Sequence, residues 1–240
     1  MNLAAPIARS AFRTSLSVQE ANGCHREVIV GERFAWSFRP HYHAGDEIVQ
    51  LLTGRGLLRV GRTFRIVEAG ETVMVPAGVV HRFEPLDVEG WGFVSQFVMP
   101  DGQRSTAAAS AEDRGLMTRI RTLLADRHSL RTDVAQIADA CAMSKGYLSR
   151  RFRHEAGTSL HDFHVLIAVH QAKASLKHGL SIVEAALDAG FYDQAHLTRE
   201  FVRTYGFTPG VFRTAWLTAP PLEHFPEKWI PVFRKEMQQT

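Results

Sequence analysis

The 240-residue sequence predicts a two-domain α+β protein, with a β-barrel or sandwich first and an all-α half after it. Three observations carry this expectation. From Arg26 to Met99, short runs rich in branched and aromatic residues (REVIV, FAWSF, EIVQLLT, GLLRV, TFRIV, TVMVP, HRF, WGFVSQFVM) are punctuated by glycine and proline, the spacing of an all-β unit. Residues 100–113 (PDGQRSTAAASAED) hold no large apolar side chain and read as a linker. Beyond them apolar residues return at helical spacing, as in Leu116, Ile120, Leu123 and Leu124, then Val134, Ile137, Ala138 and Cys141. The expected boundaries are a β domain over 1–99, the linker over 100–113, a helical domain over 114–214 and a C-terminal extension over 215–240. That extension is proline-rich and carries Phe225, Trp229, Ile230 and Phe233, which suits docking on a domain or partner rather than free disorder.

Composition narrows the class. A hydrophobic fraction of 45% and a charged fraction of 22% are those of an ordinary globular chain, which excludes a mostly disordered, collagen-like or coiled-coil protein. No uninterrupted apolar run approaches the roughly 18 residues of a membrane helix, and Arg9 and Arg13 break the apolar start. Cys24 and Cys141 lie far apart without a CxxC partner, so neither a disulfide framework nor a cysteine zinc site is indicated. These features point to the cytoplasm, with no membrane partner. The net charge of +3 is mild, but its placement is uneven. Residues 1–111 hold 11 Lys/Arg against 11 Asp/Glu, residues 112–216 hold 14 against 11, and residues 217–240 hold 3 against 3. The helical block therefore carries the excess, as a nucleic-acid-binding module would.

That block repeats itself. An offset of 49 residues aligns Asp139 with Asp188, Ala140 with Ala189, Leu148 with Leu197, Arg150 with Arg199, Phe152 with Phe201 and Gly157 with Gly206. Each copy reads as a short helix ending near a small residue (Cys141, Gly190), a turn, an N-cap (Ser144, Asp193) and a second helix carrying L-[ST]-R-x-F. This is the layout of a helix-turn-helix. Leu148 and Phe152 must face inward, as must Leu197 and Phe201, because residues four apart share one helix face. The opposite face then presents Lys145, Gly146, Ser149, Arg150 and Arg153 in the first copy and Gln194, Ala195, Thr198 and Arg199 in the second. Arginine can fork onto guanine and glutamine onto adenine, and alanine or the threonine methyl can touch the thymine methyl, so double-stranded DNA is the expected partner. The bland alternative is that both arginines are solvated or paired with nearby acids.

Between the copies, Ser159 to His178 reads as one helix, opened by a Ser159/Asp162 capping box and closed by Gly179. At 1.5 Å per residue it is a rod of about 30 Å. Such a rod can hold two recognition helices about one DNA turn apart, near 34 Å.

These residues resemble a known family. The run I137-A-D-A-C-A-M-S-K-G-Y-L-S-R-R-F, then G190-F-Y-D-Q-A-H-L-T-R-E-F and the closing G206-F-T-P-G-V-F-R213, looks like the AraC/XylS family DNA-binding domain over roughly 114–214. The closing element makes physical sense as a helix start, with Thr208 as N-cap and Pro209 at the first helical position. The resemblance implies a bacterial transcription regulator with two helix-turn-helix units per monomer. It also makes homodimerisation plausible. Gly146 departs from the larger side chain common there, which shifts base reading in the first copy onto Ser149 and Arg150.

In the β half, H41-Y-H-A-G-D-E47, six residues and Gly54, then G70-E-T-V-M-V-P76-A-G78-V-V-H81, resembles both motifs of the cupin barrel, a jelly roll. Ala35 and Pro85 replace residues common in those motifs, and neither is a ligand. Residues two apart on a strand share a face, so His41 and His43 can project into the barrel, where Glu47 and His81 complete three imidazoles and one carboxylate. That set suits a divalent transition metal such as Zn, Ni, Fe, Mn or Cu. The same histidines could instead be packing and hydrogen-bonding groups in a metal-free sensor barrel. Trp36, Phe38, Leu51, Phe64, Val73, Val75, Phe83, Trp91 and Phe93 supply an apolar lining for a pocket or a plain core, with strand register deciding which of them face inward.

The sequence thus predicts a non-enzymatic, effector-responsive regulator: a cupin sensor for a small molecule or metal, and a C-terminal all-α double helix-turn-helix that reads two successive major grooves. Effector binding would shift populations between states that differ in DNA binding, with RNA polymerase as a further partner. The rival class is a metal-dependent cupin enzyme, a dioxygenase or isomerase, using His41, His43, Glu47 and His81 with the helices as an accessory.

Overall fold

The computed structural model describes residues 13–21, 24–34, 38–98, 111–125 and 130–218. It has the expected α+β class. In the first half, β1 (Arg13–Ala21), β2 (Cys24–Phe34), β8 (Trp91–Val98), β3 (Asp46–Thr53) and β6 (Thr72–Val75) form one antiparallel sheet in that order. A second sheet has the order β5 (Thr63–Glu68), β4 (Arg55–Val60), β7 (His81–Pro85). Alternation places the core: along β3, Glu47, Val49 and Leu51 are buried while Ile48 and Gln50 are half-buried. Leu51 lies opposite Phe93 and Glu47 opposite Phe97 and Val75, while Leu58 lies opposite Phe83 in the facing sheet. Trp91 fills the space between, with ring centroids 4.8 Å from Phe93 and 5.4 Å from Phe83. A Cβ on Gly56 would meet that indole at 2.6 Å, so β4 approaches it only as glycine.

Two readings of the β half change. β1 was not anticipated: its segment RTSLSVQEA offers only Leu16 and Val18 as large apolar residues, and it holds as an edge strand by pairing with β2 from Arg13↔Glu32 to Ala21↔Cys24. Phe64 does not line the barrel. It sits on the outer face of β5, 66% exposed, while its neighbour-but-two Val67 points inward. Trp36 lies outside the described residues.

The second half contains α1 (Ala111–Ala125), α2 (Val134–Ala140), α3 (Lys145–Ala156), α4 (Leu160–Lys177), α5 (Ile182–Asp188), α6 (Gln194–Tyr205) and α7 (Pro209–Leu217). Helix α1 starts at Ala111, inside the segment read as linker. Residues 99–110 and 219–240, which include the rest of that linker and most of the C-terminal extension, lie outside the described residues. The repeat is exact in length: α2 and α5 have seven residues each, α3 and α6 twelve. Ser144 accepts from Tyr147 N and Asp193 from His196 N, so each second helix is capped as its sequence predicts. Gly157 and Gly206 close α3 and α6 in the left-handed region, at φ 67° and 80°. The inner turns differ by one position. Gly190 takes the left-handed conformation in the second copy, but Ala142 rather than Cys141 takes it in the first, at φ 54°.

Helix α4 is buried on most sides and is the axis of the molecule, opened by Ser159 and followed by Gly179. Its 18 residues span about 27 Å. Arg213, the last residue of the closing element, donates to the carbonyls of Leu180 (2.8 Å) and Gly179 (3.1 Å) and so ties α7 to the end of α4. Val165, Ala168, Val169, Ala172 and Leu176 of α4 and Phe201 and Tyr205 of α6 share one apolar cluster with Phe93 and Phe97 of the barrel. The halves therefore meet through a core.

Charges cross that boundary. Glu27 of β2 is only 2% exposed and receives Lys173 Nζ at 2.5 Å and Lys177 Nζ at 2.7 Å. Burial alone would raise its pKa, but the two ammonium groups win and hold the carboxyl at about 2. Lys173 also lies over the rings of Tyr205 (4.7 Å) and Phe212 (5.0 Å). Removing one member of a buried pair leaves the other uncompensated, so Glu27→Gln is expected to lower the unfolding free energy by about 3–5 kcal/mol, measured by urea denaturation. A loss below about 1 kcal/mol would show the pair to be solvated.

His170 of α4 donates to the Tyr42 carbonyl at 2.6 Å and stacks on the Tyr42 ring. Burial, reinforced by Lys173, lowers its pKa to about 3. The unfolded chain takes up this proton below the ordinary value near 6.5 while the folded chain does not. Stability is therefore full above that pH and falls as pH drops from about 6.5 towards 3. In urea midpoints at fixed ionic strength, His170→Gln should flatten this slope; an unchanged slope would contradict the assignment.

Candidate functional site

The structure brings together all four residues of the expected metal set. His41 and His81 bridge the two motifs through reciprocal backbone hydrogen bonds of 2.8 Å, and Glu47 enters from β3. The side chains of His41, His43, Glu47 and His81 are buried, and their candidate ligand atoms all lie within 4.8 Å of one another. Asp46, next to Glu47, is not among them: its carboxylate braces the loop by accepting from Ala77 N at 2.8 Å.

The hydrogen bonds around the rings fix what the cluster can bind. His41 Nδ1 lies 2.8 Å from the Arg39 carbonyl and His81 Nδ1 lies 3.0 Å from the Val79 carbonyl. A carbonyl only accepts, so both Nδ1 atoms carry a proton, and the Nε2 atoms of these rings face inward. His81 Nε2 is 2.8 Å and His43 Nε2 3.4 Å from the same Glu47 oxygen. His43 Nε2 is buried and has no hydrogen-bond partner. Ring nitrogens that converge on one carboxylate need a proton or a metal cation between them and the oxygen. Outer-shell carbonyls that orient imidazoles in this way are what a metal centre needs. The donor set therefore fits a divalent transition metal.

Electrostatics agree. Burial, with the neighbouring His81 and His43, pushes His41 well below the usual histidine value, and burial likewise lowers His43. Burial opposes ionisation of Glu47, yet His43 and His81 hold its carboxyl well below the usual range. Neutral rings at His41 and His43 beside an ionised Glu47 are ligand-competent forms.

The cavity beside the cluster is small. It is lined by Ile29, Phe38, Phe83, Trp91, Phe93 and Phe97 of the barrel, and its free volume is ≈ 20 Å³, room for about one water. Thr204 and Tyr205, from the end of α6, complete its wall. Sequence reading missed this, because nothing local in the second helix-turn-helix signals that its last residues enter another domain.

The expected DNA-reading residues form two outward faces. Lys145, Gly146, Ser149, Arg150 and Arg153 are exposed on α3, as are Gln194, Ala195 and Arg199 on α6, with Thr198 half-buried. Leu148, Phe152, Leu197 and Phe201 are fully buried behind them. Arginines on other faces have acidic partners: Arg151 binds Glu155 at 2.6 Å and Arg203 binds Glu200 at 3.1 Å. Neither Arg150 nor Arg199 makes an ion pair among the described residues. The Arg150 guanidinium lies back over Gly146, 3.3 Å from where a Cβ would stand. Two exposed aromatics were missed, Tyr147 on α3 and Tyr192 just before α6.

Comparison with known proteins agrees with both halves. The model of a helix-turn-helix domain matches residues 137–215 and that of a cupin domain matches residues 29–87. The chain joins a helix-turn-helix domain to a cupin domain. It is similar to the HTH-type transcriptional regulator MtrA of Neisseria gonorrhoeae, 33% identical over 82 residues, which is 34% of this chain. The match spans only 27% of MtrA's length. Crystal structures of ToxT from Vibrio cholerae share the fold across both halves of the chain. One superposes with a TM-score of 0.53 at 11% identity, covering 88% of this chain and 100% of that one. Another, of ToxT with an unsaturated fatty acid bound, has a TM-score of 0.51 at 10% identity, covering 88% and 98%.

Titration of Zn²⁺ into the protein, followed by calorimetry, should show one site per chain. His81→Ala and Glu47→Gln should each weaken it at least about tenfold, the lower end of ligand-shell effects. Equal affinity in all three proteins would reduce the cluster to packing.

Proposed function

We propose that this AraC-type chain is a DNA-binding transcription regulator whose barrel senses a divalent transition metal. The helical half would read two successive major grooves with α3 and α6, held by α4. Arg150 and Arg199 are exposed, unpaired with acids among the described residues and at matching positions on two helices, which supports base reading over simple solvation. Lys145 and Arg153 flank Arg150 and would position the backbone.

The observation that carries the choice of effector is the cavity. Four ligand groups beside a space of ≈ 20 Å³ suit an ion and a water, whereas an acyl chain such as the fatty acid bound by one crystallised ToxT would need the described walls to part. The same volume weighs against the rival reading of a metal-dependent enzyme, which needs room for a substrate next to the metal. His41, His43, Glu47 and His81 would hold the metal, which would supply positive charge that draws the three rings and the carboxylate together. Binding would then bias the equilibrium between arrangements of the two halves. The partners in this reading are double-stranded DNA, a second copy of the chain and RNA polymerase, all in the cytoplasm. No helix among the described residues is long and apolar enough to cross a membrane.

Arg150→Ala and Arg199→Ala are each expected to weaken binding to a selected operator by about 1–3 kcal/mol while leaving non-specific binding nearly unchanged. Operators selected from random DNA and gel-shift titration at fixed salt provide the check. Equal losses on specific and random DNA would make these residues phosphate clamps, and no loss in either would remove α3 and α6 as reading helices.

A further inference from the structure

We propose that Arg39 is a positioning residue that couples the histidine–carboxylate cluster to the second recognition helix. The inference rests on the reading of the barrel as a metal sensor and names the route by which the signal leaves it. Arg39 stands two residues before His41, and its carbonyl accepts the His41 Nδ1–H at 2.8 Å, so the orientation of that ring and the position of the Arg39 backbone are linked. The same residue donates its backbone N–H to the Arg203 carbonyl of α6, at 3.3 Å. Its guanidinium forks between two helices, to Glu200 of α6 and to Asp162 of α4, the latter at 2.6 Å. Glu200 is itself buried and fixed by Arg203 at 3.1 Å, and Asp162 is fixed by the Ser159 hydroxyl at 2.6 Å. One residue thus touches the candidate metal centre at its carbonyl and the reading unit at its amide and side chain.

Other contacts make α6 the element that must respond. Thr204 and Tyr205 form the wall of the metal cavity, and Thr14 of β1 donates to the Gly206 carbonyl at 2.9 Å. On the first recognition helix the barrel touches the corresponding end: the β4–β5 turn places Gly61 against the Glu155 carbonyl, and Arg62 lies 2.8 Å from His154 of α3. The barrel therefore holds the C-terminal ends of both reading helices. The barrel also meets α3 through Tyr42 and Val80, which share a buried cluster with Leu148 and Phe152, but only the hold on α6 runs directly to a metal-ligating candidate. A bidentate guanidinium transmits orientation as well as charge, which an ammonium would not. A metal that draws His41 inward would move the Arg39 carbonyl and, through the fork, rotate or release α6 relative to α4.

The test uses the full-length protein with Zn²⁺, Ni²⁺, Mn²⁺ and Fe²⁺ added singly, comparing wild type, Arg39→Ala, Arg39→Lys and Glu200→Gln. Three quantities are read: metal affinity, hydrogen exchange of the amides of residues 191–207, and affinity for the selected operator with metal and with chelator. Wild type is expected to show a metal-dependent change in α6 exchange and an operator affinity that shifts about 5- to 150-fold, the usual range of allosteric coupling. All three variants should keep metal affinity within about threefold of wild type. They should lose the α6 exchange response, and their operator shift should fall below about twofold. Arg39→Lys and Glu200→Gln keep the proposal testable if Arg39→Ala fails to fold. Variants that bind metal and still couple it to α6 and operator would overturn the role of Arg39. A wild type that binds metal and reads DNA with no change in α6 would overturn the coupling while sparing the DNA-binding reading. A wild type that binds none of the metals would overturn the sensor reading and this route with it.

Discussion

Glu27 is a single carboxylate buried between two lysines of another domain, and much of the molecule follows from that placement. An ionised group at that depth is tolerable only with both ammonium groups in contact, so β2 and α4 must stay together for either to be satisfied. Once α4 is seated, Val165, Ala168, Val169 and Ala172 meet the barrel, and Lys173 covers the rings of Tyr205 and Phe212. Tyr205 then has no place but the mouth of the barrel. A helix whose other end presents Gln194 and Arg199 to solvent in this way comes to wall the cavity beside the histidines.

The histidine cluster obeys the same logic on a smaller scale. Backbone carbonyls at Arg39 and Val79 consume the outer N–H of two rings, which turns their Nε2 atoms toward one another and Glu47 inside the barrel. Such an arrangement suits a cation. It is also tied by one residue to the helices, since the carbonyl that orients His41 belongs to the arginine that binds Glu200 and Asp162. The chemistry of the barrel and the geometry of the reading helices are thus joined through short, directional contacts rather than through a general loosening of the fold.

Local pattern made much of this legible in advance. The two helix-turn-helix units, their caps at Ser144 and Asp193, the closing Thr208–Pro209 start and the four clustered ligands are all set by residues close in sequence or by fixed motif spacing. What was not legible depends on the meeting of distant segments. β1 carries too few apolar residues to announce itself and exists because β2 offers an edge. Phe64 reads as core by type but falls on the outer face by register, since one residue along a strand exchanges the two faces. Arg39, Glu27 and Tyr205 have no motif, because their partners lie more than 100 residues away. The apparent separation into a β half and an α half also hid a shared core.

The central claim is that metal in the barrel governs how two helices engage DNA, and hydroxyl-radical footprinting of the full-length protein on its selected operator, with metal and with chelator, addresses it most directly. The account predicts two protected stretches on one face of the duplex, about one helical turn (roughly 10 bp) apart, with protection under α6 changing when metal is removed and protection under α3 changing less. A single protected stretch, or a footprint identical with metal and with chelator on protein shown to bind the metal, would contradict it.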